Sequence, residues 1–278
     1  MNTLKSTWKQ RWTWIPTAAL LAFAPAAFAV DGVIEINQTA ALAGGVSAGD
    51  TPGYPVTISE SGSYRLTGNL TVTGSTSLEG IDVTTAGVTI DLNGFAITGP
   101  GSGTGHGIFG DINAQRVTVL NGSVTKMGGE GIWLFGAGSQ IRGVKVFENG
   151  GVGVRMGNQS LVESCSAWDN GEDGLLVSEG GIIRDSTAER NGREGLVGGA
   201  GCVLVNNTTL NNDSDGIVGT VGCLIKANTS RGNTGFGLVL PTGGGFGNNI
   251  FSGNTGGDIS GGAKEIGSNI CDGGGLCS

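Results

Sequence analysis

The chain has 278 residues, of which 56 are glycine, 38% are hydrophobic and 14% are charged, with a formal net charge of −8. A flexible low-complexity chain is excluded, because aliphatic residues return at fixed intervals and glycine therefore marks turns and close packing within an ordered repeat. The acidic balance argues against nucleic acid as a partner, and against a polyuronate ligand unless divalent cations or a local arginine patch offset the repulsion.

Residues 1–29 begin with Lys5, Lys9 and Arg11, continue through an apolar stretch from Trp14 to Phe28, and end in Ala27-Phe28-Ala29. That order predicts a Sec-type signal peptide and a secreted, periplasmic or envelope location in a bacterium. The apolar run is broken by Pro16 and Pro25 and falls short of the roughly 20 residues that span a bilayer, so no transmembrane segment is expected after cleavage. Loss of those three bases leaves 12 of 15 Lys and Arg against 23 Asp and Glu, a net charge of −11 for the mature chain.

Residues 30–66 contain a short helix expected at Ala40–Ala43 and the turn residues Pro52, Gly53 and Pro55. They read as an N-terminal cap protecting an open edge. Glycine-aliphatic pairs then recur at Gly80, Gly107, Gly131 and Gly153, spaced by 27, 24 and 22 residues. The early coils thus carry longer loops, such as Pro100 to Gly105, where a groove can be built.

Downstream the period settles. Asn149, Asn170, Asn191, Asn212, Asn233 and Asn254 recur every 21 residues, each but the last followed four places on by glycine and then an aliphatic residue. A repeat too short to bury its own apolar face, with a polar residue in register, requires a solenoid of stacked β-coils. Two aliphatic columns supply the core: Ile141, Val162, Ile183, Leu204, Ile225 and Phe246, and Val154, Leu175, Leu196, Ile217, Leu238 and Ile259. Stacked asparagine amides both donate and accept along the axis, and a second set, Asn207, Asn228 and Asn249, joins in the later coils. Residues 67–260 are predicted to form this solenoid. Residues 261–278 form a C-terminal cap closed by a disulfide between Cys271 and Cys277. Cys202 and Cys223 fall on neighbouring coils, where a disulfide and stacked thiols are equally consistent with the spacing. Cys165 has no evident partner.

The repeat exemplified by Val205-Asn-Asn-Thr-Thr-Leu-Asn-Asn-Asp-Ser-Asp-Gly-Ile217 resembles the right-handed parallel β-helix, pectin-lyase-like superfamily. The resemblance implies an all-β right-handed solenoid, of about eight to ten coils. Asp31-Gly-Val-Ile-Glu-Ile-Asn37 and Ser61-Gly-Ser-Tyr-Arg-Leu-Thr-Gly68 further resemble secreted bacterial members of unassigned activity. The superfamily hosts lyases, hydrolases, epimerases and adhesins, so the resemblance carries architecture rather than reaction.

The column before the repeat glycine, His106, Glu130, Val152, Asp173, Glu194, Asp215 and Phe236, holds the sharpest chemistry. Asp173, Glu194 and Asp215 on successive coils are candidate ligands for Ca²⁺ or a general acid and base, and Arg193 is the matching candidate base of a polysaccharide lyase. The plainer explanation is a solvated turn that tolerates acids. Gly105-His106-Gly107 resembles the Gly-His-Gly of polygalacturonase-like hydrolases, but their Asn-Thr-Asp, Asp-Asp and Arg-Ile-Lys motifs are missing and His106 occupies an ordinary repeat position. Phe147 and Trp168 share an outward column and are candidates for stacking a sugar ring. Arg142, Glu163 and Arg184 read as a surface ion-pair ladder. The column Trp133, Arg155, Leu176, Val197, Val218 and Val239 is expected outside, an apolar stripe suited to an oligomer contact. The leading expectation is non-catalytic binding of a polysaccharide or cell-surface partner along the solenoid. The alternative is a Ca-assisted lyase.

Overall fold

A computed structural model describes residues 32–272 and Cys277, so the expected signal peptide at 1–29 and residues 273–276 of the C-terminal cap lie outside the described residues. The strands form an eighteen-stranded parallel sheet and a ten-stranded parallel sheet, wound into a right-handed β-helix of about ten coils. In the regular region one coil comprises three short strands, for instance Leu161–Glu163, Ser166–Trp168 and Leu175–Val177. The first two belong to the larger sheet and the third to the smaller one.

The strands are short because the corners demand unusual backbone. Ser164, Asp185, Asn206, Ala227 and Asn248 recur at one corner with positive φ, and Glu148, Asp169, Arg190 and Asn211 recur at the next. Left-handed backbone is tolerated best by Gly, Asn and Asp, which accounts for much of the Asn and Asp in the repeat. Each such residue immediately precedes an inward ladder position.

Both aliphatic columns point inward as expected. Ile141, Val162, Ile183, Leu204 and Ile225 are fully buried, as are Val154, Leu175, Leu196, Ile217 and Leu238. Full burial of such a side chain contributes about 1.5–3 kcal/mol. The core is continuous from Ile36 to Phe251.

At the corner between the sheets the asparagine ladder is fully paired. The Asn191 Oδ1 accepts the backbone N–H of Asn170 at 3.3 Å and its Nδ2 at 3.0 Å, while the Asn191 Nδ2 donates to the Ala167 carbonyl and to the Asn212 Oδ1. All four side-chain hydrogen bonds of the amide are made, which is what a buried amide requires. The repeat glycine follows from the same packing. A Cβ on Gly195 would lie 2.8 Å from the Asn212 Nδ2 and 2.6 Å from the Gly216 carbonyl oxygen. The second ladder runs Ser186, Asn207, Asn228, Asn249 and on to Asn269, a rung only 20 residues beyond Asn249 that a search for an exact period overlooks.

Stacking begins earlier than the expected boundary at residue 67. Val33–Ile36 pairs in parallel with Gly62–Leu66, so the described part of the expected cap, residues 32–66, contributes strands to the stack as well as the helix α1 (Gln38–Ala43), capped by the Asn37 side chain. At the far end Lys264–Glu265 still pairs with the preceding coil. Cys202 and Cys223 are joined by a disulfide between adjacent coils, and Cys271 is joined to Cys277. Cys165 is a free, buried thiol.

Replacing Asn191 by alanine strands donors and acceptors on both neighbouring coils, and is expected to cost about 3 kcal/mol or more in urea unfolding. The exposed Asn158 replaced likewise should change stability by less than about 0.5 kcal/mol.

Candidate functional site

The corner leading into the ten-stranded sheet is held by backbone bonds that define one column. Gly80 N–H donates to the His106 carbonyl, Gly107 to Glu130, Gly131 to Val152, Gly153 to Asp173, Gly174 to Glu194 and Gly195 to Asp215. The acidic column therefore begins one coil earlier than the sequence reading had it, at Glu79.

Several of its polar side chains serve the stack. The Asp173 Oδ1 accepts the backbone N–H of Glu194 at 3.3 Å, and the Asp215 Oδ1 accepts that of Phe236 at 2.6 Å. The His106 Nδ1 lies 3.0 Å from the Glu130 backbone nitrogen. A strand corner leaves these N–H groups without a ladder partner, and a short acceptor on the coil before supplies one.

Asp173 and Glu194 face one another. Arg193 sits 3.9 Å from the first and 3.4 Å from the second, and the Ser214 hydroxyl donates to Glu194 at 3.2 Å. Burial and the Glu194 carboxylate push Asp173 up to about 7, against a smaller opposing pull from Arg193. Burial also acts upward on Glu194, but the hydrogen bond from Asp173 and the neighbouring donors outweigh it and hold this carboxyl below its usual value. The two carboxyls are thus displaced in opposite directions, the buried one upward and the better-solvated one downward. Among the described residues no three His, Cys, Asp or Glu side chains gather to hold a metal ion. The expected calcium set of Asp173, Glu194 and Asp215 does not form a cage. Arg190, three residues before Arg193, pairs with Asp169 at the neighbouring corner.

The densest cluster lies two coils earlier and was only partly legible. Trp133 projects outward from the ten-stranded sheet beside Phe109, with ring centroids 5.6 Å apart, and beside Phe135 at 5.7 Å. His106 packs edge-to-face on Trp133 at 5.1 Å and stacks on Phe109 at 5.6 Å. The Arg155 guanidinium stands 5.4 Å from the Trp133 ring centre and 3.6 Å from Glu130. The Glu130 Oε2 is 2.9 Å from the His106 Nδ1. A ring nitrogen has one proton or one lone pair, so Nδ1 serves either this carboxylate or the Glu130 backbone N–H, not both. Burial raises the Glu130 carboxyl, but His106 and Arg155 together bring it below its ordinary range. A cleft of about 460 Å³ opens over His106 and Glu130, lined also by Glu79, Thr104 and Glu172. A smaller one of about 120 Å³ lies between Trp133, Phe135, Arg155 and Leu176. Phe109 was missed because its coil is 24 residues from the next, although it stands three places after His106 just as Trp133 stands three after Glu130.

The other candidates fall elsewhere. Phe147 and Trp168 stack on each other at 4.4 Å and 4°, which occupies one face of each ring. The free side of Trp168 borders an open hollow of about 290 Å³ with Thr187, Glu189 and Arg190. Glu163 bridges Arg142 and Arg184 as the expected surface ladder. Leu176, Val197, Val218 and Val239 do face outward from the ten-stranded sheet, half-buried. No helix among the described residues is long and apolar enough to cross a membrane.

Residues 79–218, half of the chain, match the family model described as a right handed beta helix region, and the chain belongs to that family. Among solved structures it is similar to the Dettilon tailspike protein, with a TM-score of 0.61 and 15% identity over 79% of this chain and 52% of that one. It therefore spans about half the length of that tailspike. The Azotobacter vinelandii mannuronan C-5 epimerase A-module aligns with a TM-score of 0.52 and 16% identity over 84% of each chain. The periplasmic alginate epimerase AlgG gives 0.53 and 13% over 77% of this chain and 70% of that one. At such identities the likeness is one of fold alone. No curated protein matches the chain.

The raised Asp173 carboxyl makes stability depend on pH. A carboxyl whose folded value is raised to about 7 stabilises the native state at low pH, and this contribution is lost as pH climbs from about 4 through about 7. Asp173→Asn keeps an acceptor for the Glu194 N–H and a donor for its carboxylate. It is expected to flatten that slope and raise the thermal midpoint at pH 8, measured by calorimetry across pH.

Proposed function

We propose that the protein is an exported β-helix that binds glycan without cleaving it, on the face of the ten-stranded sheet around Trp133. The observation that carries this reading is the aromatic surface of Phe109, Trp133 and Phe135, the last of them 51% exposed, set on a rigid parallel sheet beside His106, Glu130 and Arg155. Sugar C–H faces pack on aromatic rings while hydroxyls seek converging polar groups, and both are offered here. Two disulfides support export, since such bonds persist in oxidising compartments.

A Ca-assisted lyase is the rival reading, favoured by the opposed displacement of the Asp173 and Glu194 carboxyls. Against it, Asp173 is buried and bonded to backbone, a stacking role that leaves little access for a polymer. Accumulation of unsaturated uronate on any polysaccharide with Ca²⁺, abolished by Asp173→Asn, would replace binding with lysis.

Calorimetric titration against an oligosaccharide panel is expected to find a ligand whose affinity falls about tenfold or more on Trp133→Ala, and less on Phe135→Ala. Phe147→Ala should leave it unchanged. An affinity indifferent to both Trp133 and Phe135 would overturn this placement of the site.

A further inference from the structure

The cleft over His106 and Glu130, which adjoins Trp133 through the His106 ring, is not merely polar; its charge is unbalanced in a particular way. Glu79 and Glu172 line it, and Asp82 lies next to Phe109 in the same outward row of the sheet, with Asp111 just beyond that strand. None of these four carboxylates has an ion-pair partner among the described residues, whereas Arg155 and His106, the bases at this site, are both engaged by Glu130. Burial above all, and the nearby Glu79 and Asp111 carboxylates, raise the Asp82 carboxyl.

A single metal ion does not answer this field, because the carboxylates are spread out and no three of them converge. Glu79 and Glu172 stand four coil steps apart, roughly 19 Å at the usual strand spacing. What fits is an extended ligand with positive charges at intervals and apolar ring faces between them. The coil step is comparable to the length of one pyranose unit, so a chain of about four sugars laid along the stack reaches from the carboxylates of Glu79 and Asp82 to that of Glu172. Ammonium groups are also drawn to the electron-rich face of an indole.

We infer, resting on the glycan-binding reading, that the ligand is a cationic amino-sugar chain with free amines, held by Glu79, Asp82 and Glu172 around the Trp133 platform. Neutral and uronate chains lack the charge this cleft is built to receive, and uronates are repelled by it.

Titration calorimetry with glucosamine oligomers, their N-acetylated counterparts, oligogalacturonate and a linear polyamine tests this. The free-amine oligomer is expected to bind, the acetylated one about tenfold or more weakly, and the uronate and polyamine not measurably. The triple variant Glu79→Gln/Asp82→Asn/Glu172→Gln should bring the free-amine affinity down to that of the acetylated oligomer and leave the latter unchanged, with an unaltered thermal midpoint showing that the fold is intact. Trp133→Ala should weaken both sugars. Equal affinity for free and acetylated amines, or tighter uronate binding, overturns the cationic ligand while leaving glycan binding standing. Polyamine binding as tight as the sugar also overturns it, and no binding of any glycan sinks both readings.

Discussion

The rest of the molecule depends on satisfying polar backbone where the coil turns. A solenoid of three-residue strands has a corner every few residues, and each corner points amides into a space sealed from water by the coils above and below. The asparagine side chain answers this because it donates twice and accepts twice, matching the coil before it and the coil after it at the strand spacing. From that single requirement follow the left-handed residue before each rung, the glycine four places after it, and the unbroken aliphatic columns between.

The same requirement reinterprets the acidic column. His106, Asp173 and Asp215 are residue types that carry chemistry in other settings, yet here each lies against the N–H of the equivalent position on the next coil. Asp173 illustrates the compromise. Packing pulls it into the wall against Glu194, and burial with that neighbouring carboxylate raises its own carboxyl. A carboxylate row on a β-helix is therefore evidence of corner geometry first. Chemistry has to be argued from side chains that the stack leaves unsatisfied, which is what sets Glu79, Asp82 and Glu172 apart from their neighbours.

How much of this was legible depends on the regularity of each region. Between Asn149 and Asn254 an exact register assigned inward and outward faces correctly, down to the outward Leu176, Val197 and Val218. Where the period stretches, the register was lost. Phe109 went unaligned with Trp133, Glu79 was left off the head of its column, and Val33–Ile36 was read as cap rather than stack. Phe147 and Trp168 were correctly placed in one column, but a column does not tell whether two rings face solvent or each other.

The amino-acid sequence by itself determined the coil, its period, its core columns and its asparagine rungs, because each is a local pattern repeated until chance is excluded. Only the tertiary structure decided that Cys202 and Cys223 are bonded, that Asp173 and Glu194 meet beside Arg193, and that His106, Phe109, Glu130, Trp133 and Arg155 form one cluster. These facts turn on distances and orientations between side chains of different coils, and a repeat pattern specifies which residues stack without specifying which of their atoms meet.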